Sequence, residues 1–204
     1  MIVGYKPNFA IESSISTAYE RLSFLALGFF VIYLGGRCFG VRSDDASLLA
    51  CSYGEVKDRI TNRGKHTAPF ATEVNPSKIA NAFRDAIYAP NQEDKMFFSL
   101  LQPQFSNLFY SNKLVWAPDG DEAFDDSSYV LQFDVRSHVR LIAFKLNKSG
   151  QDNHHDPATL IDVWLEANEF YGILERWRDA FEAEWQVAPK ISERDDGAEK
   201  PNEN

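Results

Sequence analysis

Residues 159–185 read TLIDVWLEANEFYGILERWRDAFEAEW and contain the two patterns that decide the fold. Thr159–Leu165 is predicted to form a β-strand. Asn168 is a candidate N-cap, since its side chain can accept a hydrogen bond from the first helical turn. The predicted helix has one apolar stripe at helical spacing, formed by Phe170, Leu174, Trp177, Phe181 and Trp185. The stretch therefore predicts a strand followed by an amphipathic helix that packs across a sheet.

The region before this stretch predicts two β-hairpins. In the first, Ser23–Leu34 is rich in β-branched and aromatic residues, and Gly35-Gly36 supplies the positive φ angles of a two-residue turn before Arg37–Arg42. In the second, Tyr129–Val135 and Val139–Leu146 are joined by a three-residue connection. The remaining predicted strands are Phe9–Ile15 and Ser47–Cys51.

Two more helices are predicted between the hairpins. Ser52 and Glu55 have the spacing of a capping box and predict a helix that ends near Gly64. Asn75-Pro76 predicts the start of a second helix, because proline suits the first helical position. Residues 91–116 are compatible with either a short helix or a loop, since Pro103 interrupts any long helix.

These elements predict an α+β fold, with a mainly antiparallel sheet built from hairpins, helices packed on it and a long C-terminal amphipathic helix. The strands cluster in two antiparallel groups and do not alternate regularly with helices. We expect residues 1–187 to form a single domain and residues 188–204, which are charged, to form a disordered tail. Trp164, Trp177 and Trp185 are expected in the core, and Cys38 and Cys51 are expected as reduced, buried thiols.

The chain is expected in the cytoplasm. Its first residues lack the basic and contiguous apolar segments of a signal peptide. The longest apolar run, residues 24–34, is about half of the ~20 residues that a membrane-spanning helix needs.

The net negative charge of the chain comes from its second half. Residues 1–102 contain 11 basic and 10 acidic residues, whereas residues 103–204 contain 10 basic and 20 acidic residues. A strongly acidic face repels nucleic acid and anionic lipid and attracts cationic proteins. The sequence therefore predicts a basic protein partner and neither a nucleic acid nor a membrane.

We find no catalytic motif in the sequence: no nucleophile elbow, zinc-binding His-Glu-x-x-His, phosphate-binding loop or dinucleotide fingerprint. We therefore expect neither catalysis nor a cofactor. His154-His155-Asp156 could supply metal ligands, but no second cluster has ligand spacing, so a solvated polar loop is the preferred interpretation. His66 and His138 are isolated and are interpreted as surface or core-edge histidines.

Residues 117–128 form an acidic segment that directly follows Trp116. Five carboxylates occur here without a basic residue, which predicts a solvated loop. Trp116 is a candidate interface anchor, because tryptophan is enriched at binding hot spots; the alternative is a tryptophan packed in the core at a strand end. The candidate partner-binding residues are Trp116, Asp119, Asp121, Glu122, Asp125 and Asp126. A purely solubilising role for the acids remains an alternative.

Three parts of the sequence resemble one protein family. They are Met1–Gly4 with Phe9–Glu12, the Gly35-Gly36 hairpin, and Asp162–Leu174. Together they resemble the immunity 42 family of polymorphic-toxin immunity proteins, over most of residues 1–186. The resemblance implies a small bacterial cytosolic protein that binds a toxin domain and protects the producing cell. It implies no functional residues, so the candidates above come from the sequence pattern alone.

Two other functions remain open from sequence. A small enzyme would be favoured by a deep pocket that holds His66 or His138 beside a carboxylate. A regulatory or scaffolding module would be favoured by a large apolar patch at a symmetric contact.

Overall fold

The computed structural model describes residues 1–21, 23–89, 93–116, 122–146 and 155–191. Within these ranges the helices are α1 (Leu49–Thr61), α2 (Pro76–Tyr88), α3 (Gln102–Ser111), α4 (Ala167–Val187) and a 3₁₀ helix at Glu122–Phe124. The strands are β1 (Ile2–Tyr5), β2 (Phe9–Tyr19), β3 (Ala26–Leu34), β4 (Arg37–Phe39), β5 (Ser47–Leu48), β6 (Met96–Phe97), β7 (Leu100–Leu101), β8 (Val115–Trp116), β9 (Ser128–Val135), β10 (His138–Lys145), β11 (Ile161–Glu166) and β12 (Lys190–Ile191). The predicted α+β class is confirmed.

The first sheet is built around β2 and β3. Strands β1, β2, β3 and β4 follow one another in antiparallel order, while β5 also pairs with β3 and β12 pairs in parallel with β2. The predicted turn between β3 and β4 is confirmed, with φ angles of +55° at Gly35 and +80° at Gly36. Strand β12 lies in the segment predicted as a disordered tail, so that prediction is wrong for Lys190–Ile191. Residues 192–204 lie outside the described residues.

The second sheet has the antiparallel order β11-β10-β9-β8 and is buried on both faces. Val139 and Leu141 of β10 belong to a hydrophobic cluster shared with the first sheet and α4. Ile142 and Phe144 belong to a second cluster, which includes residues of α2 and α3. The hairpin predicted for β9 and β10 is confirmed.

Helix α4 has the predicted apolar stripe but a different start. Phe170, Trp177 and Phe181 are buried, and Trp185 is partly buried against the same cluster. The N-cap residue is Glu166, whose side chain forms no capping hydrogen bond. The prediction of Asn168 as the cap is wrong, because α4 begins directly from β11 and Asn168 already lies in the first turn, where it accepts a hydrogen bond from Arg63.

The start of α1 also differs from the prediction, whereas that of α2 agrees with it. Helix α1 begins at Leu49, so Ser52 lies inside it on the buried face and does not cap it. The tertiary burial of Leu49 and Val56 outweighs the local capping pattern. Asn75 caps α2 as predicted, and its Oδ1 accepts a 3.0 Å hydrogen bond from the backbone N–H of Ser77.

The region left open as helix or loop contains both strands and a helix. Strands β6 and β7 form a small hairpin whose turn residues, Phe98 and Ser99, have φ angles of +49° and +67°. The Phe98 ring stacks on Phe70 with centroids 4.8 Å apart, which helps to hold this unfavourable backbone conformation. Pro103 lies in the first turn of α3, where its missing N–H costs nothing.

Two predictions of burial are wrong. The Trp164 side chain is 44% exposed, because β11 is the edge strand of the second sheet and Trp164 lies on the face away from α4. Cys51 is exposed on α1, whereas Cys38 is half-buried, and neither forms a disulfide. Trp177 is buried as expected, and its indole N–H donates to Ser13 Oγ at 3.0 Å.

Gly28 and Gly54 provide a matched test of the packing in the first sheet. A Cβ atom at Gly28 would lie 1.9 Å from the carbonyl oxygen of Ser14, at the point where the pairing of β2 and β3 shifts register. A Cβ atom at Gly54, within α1, would have no neighbour within 4 Å. We expect Gly28→Ala to lower the free energy of unfolding by about 3 kcal/mol, and Gly54→Ala to raise it by up to ~1 kcal/mol. Urea denaturation of both variants measures this, and equal stability of the two would contradict the register.

Candidate functional site

The acidic segment, residues 117–128, is described from Glu122 onward. Asp119 and Asp121 therefore lie outside the described residues. Glu122 begins the 3₁₀ helix, and the side chains of Glu122 and Asp125 are exposed. The prediction of a solvated loop is wrong for Ala123 and Phe124, which are buried in the core between these two acids.

Hydrogen bonds attach this part of the acidic segment to the loop that follows β4. The backbone N–H of Val41 donates to the carbonyl oxygen of Ala123 at 2.8 Å. Gly40 makes this approach possible, because it has a φ angle of +108° and a Cβ there would lie 2.8 Å from the same oxygen. The N–H of Gly40 also donates to Ser128 Oγ at 3.3 Å. The backbone that carries the exposed carboxylates of Glu122 and Asp125 is thus held by hydrogen bonds to the loop after β4.

The three described carboxylates of the segment differ in their availability to a partner. Asp126 forms an ion pair with Lys145 and accepts a 3.1 Å hydrogen bond from the N–H of Ser128. Neither Glu122 nor Asp125 forms an ion pair with another described residue. A cation of a partner therefore competes with Lys145 at Asp126, whereas at Glu122 and Asp125 it competes with no cation of the described chain.

Trp116 belongs to the core, which is the alternative that the sequence left open. Its side chain is 2% exposed, so it offers no surface to a partner. The ring stacks with that of Phe30 at a centroid distance of 6.4 Å, and the Arg59 guanidinium lies 4.3 Å from it. Trp116 therefore stabilises β8, the strand that precedes the acidic segment in the sequence, from inside the protein.

The buried Arg59 side chain joins α1 to the second sheet. It donates to the carbonyl oxygen of Val115 at 2.7 Å and to Gln132 Oε1 at 3.0 Å, and it lies 2.7 Å from Glu55 Oε1. Burial lowers the pKa of Arg59, and the neighbouring carboxylate of Glu55 opposes that effect. These contacts hold the strand from which the acidic segment begins.

A small polar cavity of about 160 Å³ lies where β9, β10 and α4 meet. It contains His138, whose Nε2 lies 2.9 Å from Glu166 Oε1, with the two side chains 44% and 65% exposed. Asp134 and Tyr171 form its inner wall, where burial and then the Asp134 charge raise the pKa of Tyr171. Ligand pockets commonly measure ~300–1,000 Å³, so the cavity beside this solvent-exposed pair is smaller than most of them.

The other histidines occupy structural positions. His66 is fully buried, and its Nδ1 lies 2.9 Å from the carbonyl oxygen of Asn112. Burial, and then the charge of Arg59, lower the pKa of His66. His155 is buried with its Nδ1 2.8 Å from Asn81 Oδ1, so a solvated loop is wrong for this residue, and His154 lies outside the described residues. The described part of the chain contains no group of side chains able to hold a metal ion.

A second charged cluster holds the loop under the acidic segment. Glu12 of β2 accepts hydrogen bonds from Arg42 Nη2 at 2.7 Å, Lys6 Nζ at 2.8 Å and the Tyr33 hydroxyl at 2.9 Å. Burial raises the pKa of Glu12, but these hydrogen bonds outweigh it and lower the value from 4.5 to about 2. Arg42 directly follows Val41, whose N–H binds the acidic segment, so the cluster supports the site.

The comparisons with known proteins identify a class that acts by binding. The family model for immunity protein 42 matches residues 1–180. The chain belongs to this family of immunity proteins, which implies a role in immunity to a toxin. The fold is similar to that of CdiI from Burkholderia dolosa AUO158, with a TM-score of 0.54 and 16% identity over 88% of this chain and 99% of that chain. No curated protein matched the sequence. None of the described helices is both long and apolar enough to cross a bilayer.

The Glu12 cluster predicts a specific dependence of stability on pH. Because the folded-state pKa is lower than the unfolded value of 4.5, the stabilisation is complete above that value and is lost as the pH falls toward 2. We expect Glu12→Gln to lower the free energy of unfolding at pH 7 by up to about 3 kcal/mol. It should also flatten the dependence of stability on pH below 4.5. Denaturation of both proteins between pH 2 and pH 7 measures this, and parallel curves for the two would contradict it.

Proposed function

We propose that this chain neutralises a cognate bacterial toxin domain by covering its active site, without catalysis of its own. It acts in the cytoplasm of the producing cell. Membership of the immunity protein 42 family is the observation that carries the proposal. Of the histidines in the described ranges, His66 and His155 are buried and His138 is exposed beside a small cavity.

The toxin that fits this chain is a basic protein, such as a nuclease. Proteins that bind nucleic acid present lysine and arginine side chains to the phosphates. A protein whose second half contains 20 acidic and 10 basic residues can take the place of those phosphates and associate rapidly. Charge complementarity of this kind accounts for inhibition by occlusion.

Within the acidic second half of the chain, we assign the acidic segment as the part that contacts the toxin. Glu122 and Asp125 are exposed on a segment that is hydrogen-bonded to the loop after β4, and they form no ion pair with a described residue. Asp119 and Asp121 extend the same run of acids in the sequence, and Asp126 contributes less because it is paired with Lys145. Trp116 is excluded from the surface by its burial.

Reversal of the two exposed acids tests this assignment. We expect Glu122→Lys with Asp125→Lys to slow association with the toxin at least tenfold at low ionic strength, because the steering field is weakened locally. The difference should shrink as salt is added. The measurement uses the toxin domain encoded beside this chain, with association followed by stopped flow and protection scored as growth on co-expression.

A matched control separates the surface from overall charge. Glu93→Lys with Asp94→Lys changes the net charge equally, at two exposed acids of the first half. We expect this variant to associate within twofold of the unaltered chain. Equal rates for the two double variants would contradict the site but not the immunity function, whereas growth inhibition despite expression of the unaltered chain would contradict the function.

A further inference from the structure

Strand β11 is an open edge of the second sheet. It pairs with β10 on one side, and the sheet order places no strand of the described chain on its other side. The N–H of Ala167 donates to the carbonyl oxygen of Ser137 at 2.8 Å, which sets the alternation of the antiparallel ladder. The backbone groups of Ile161, Val163 and Leu165 therefore face β10. Those of Asp162 and Trp164 and the N–H of Glu166 face outward, and no backbone hydrogen bond from them to another strand of the described chain is found. The C=O of Glu166 belongs to the first turn of α4.

The side chains of the same three residues lie on one face of β11, where Trp164 and Glu166 are exposed and the Asp162 side chain is 22% exposed. Trp164 stands between Asp162 and Glu166. The Arg140 guanidinium lies 5.2 Å from the Trp164 ring and donates to Asp162 at 2.9 and 2.8 Å. Arg140 also donates to the carbonyl oxygen of Glu73 at 2.7 Å, so it is held in place from a second element. Trp164 is thus a supported aromatic side chain with an exposed surface, as interface hot spots require.

The charge of β11 favours one kind of partner strand. The strand carries two carboxylates and no basic residue. Asp162 is paired with Arg140, so Glu166, which is 65% exposed beside His138, supplies the charge that a partner meets, and the same edge of a second copy offers it no basic residue. A strand with lysine or arginine side chains would be attracted. The other outer strand with exposed aromatic surface is β1, where Tyr5 is exposed but no residue is charged. Electrostatics therefore favours β11 as the edge for a basic protein.

The start of β11 and the acidic segment lie at the same end of the second sheet, and Trp164 and Glu166 follow along the strand toward the other end. Lys145, at the end of β10, binds Asp126 of the acidic segment. Its backbone N–H donates to Thr159 Oγ1 at 2.9 Å, two residues before β11 begins. A single partner with an interface of ordinary size, about 800 Å² on each side, can cover both regions.

We propose that the toxin adds an extended segment bearing lysine or arginine side chains to the free edge of β11, with Trp164 as the anchor. The inference rests on the proposed function, since the toxin is the partner. Backbone hydrogen bonds to Asp162, Trp164 and Glu166 supply a sequence-independent part of the binding energy. The exposed carboxylate of Glu166 and the indole of Trp164 supply selectivity for a basic strand.

Glu166 permits a test of the backbone contact itself. Its φ angle of −59° matches that of proline, and its N–H faces away from β10, so Glu166→Pro removes one outward donor and leaves the ladder intact. Glu166→Gln is the matched control, because it also removes the charge but keeps the N–H. We expect Glu166→Pro to raise the Kd for the toxin domain encoded beside this chain at least tenfold relative to Glu166→Gln. Calorimetry measures the Kd, and thermal unfolding confirms that both variants are folded.

Trp164→Ala provides a second, independent variant. We expect it to raise the same Kd at least tenfold, whereas Tyr5→Ala on the β1 edge should leave it within twofold. Hydrogen–deuterium exchange of the complex should show slower exchange at the amides of Asp162, Trp164 and Glu166.

Three results would overturn the inference. Normal affinity of both Trp164→Ala and Glu166→Pro, with unchanged exchange along β11, would overturn it and leave the immunity function standing. Dimerisation of this chain through Trp164 would overturn it by showing that a second copy of the chain, and not a toxin strand, binds the edge of β11. Failure of the unaltered chain to bind the toxin would overturn the proposed function as well.

Discussion

The burial of the aromatic stripe of α4 is the interaction on which the rest of the structure depends. The Trp177 ring stacks on Phe181 at 5.2 Å and meets Phe30 of β3 edge to face at 5.1 Å. Its N–H is satisfied by Ser13 of β2, and the same cluster includes Val139 and Leu141 of β10. One helix therefore shares its core with both large sheets. Removal of this stripe would leave the inner faces of both sheets in contact with water.

Burial of the second sheet on both faces then determines where function can lie. With α2 and α3 on one side and the α4 cluster on the other, its surface is reduced to edges and connections. The connection before β9 carries the exposed acids Glu122 and Asp125, and the open edge is β11 with Trp164. Buried arginines stabilise both places: Arg59 lies against Trp116, and Arg140 lies against Trp164. The similarity to CdiI at 16% identity shows that this layered fold tolerates extensive change in sequence.

Local patterns in the sequence predicted elements well but their starts less well. The period of the α4 stripe, the Gly35-Gly36 turn and the Asn75 cap were all readable, because each depends on a few neighbouring residues. The patterns at Ser52 and Asn168 misplaced the starts of α1 and α4, because burial of the flanking residues outweighs the energy of one capping hydrogen bond. The exposure of Trp164 could not be predicted, for another reason. Alternation separates the two faces of a strand, but it does not show whether another layer covers each face.

The sequence by itself determined the α+β class, the two antiparallel groups, the acidic second half and the resemblance to immunity proteins. These properties follow from periodicity, turn chemistry, composition and quoted motifs, which are local or additive along the chain. The tertiary structure decided that Trp116 is internal, that Phe124 anchors the acidic segment and that β11 is an open edge. These properties depend on contacts between residues far apart in sequence, such as Val41 with Ala123 and Arg59 with Trp116, and no local pattern encodes which distant surface will cover a side chain.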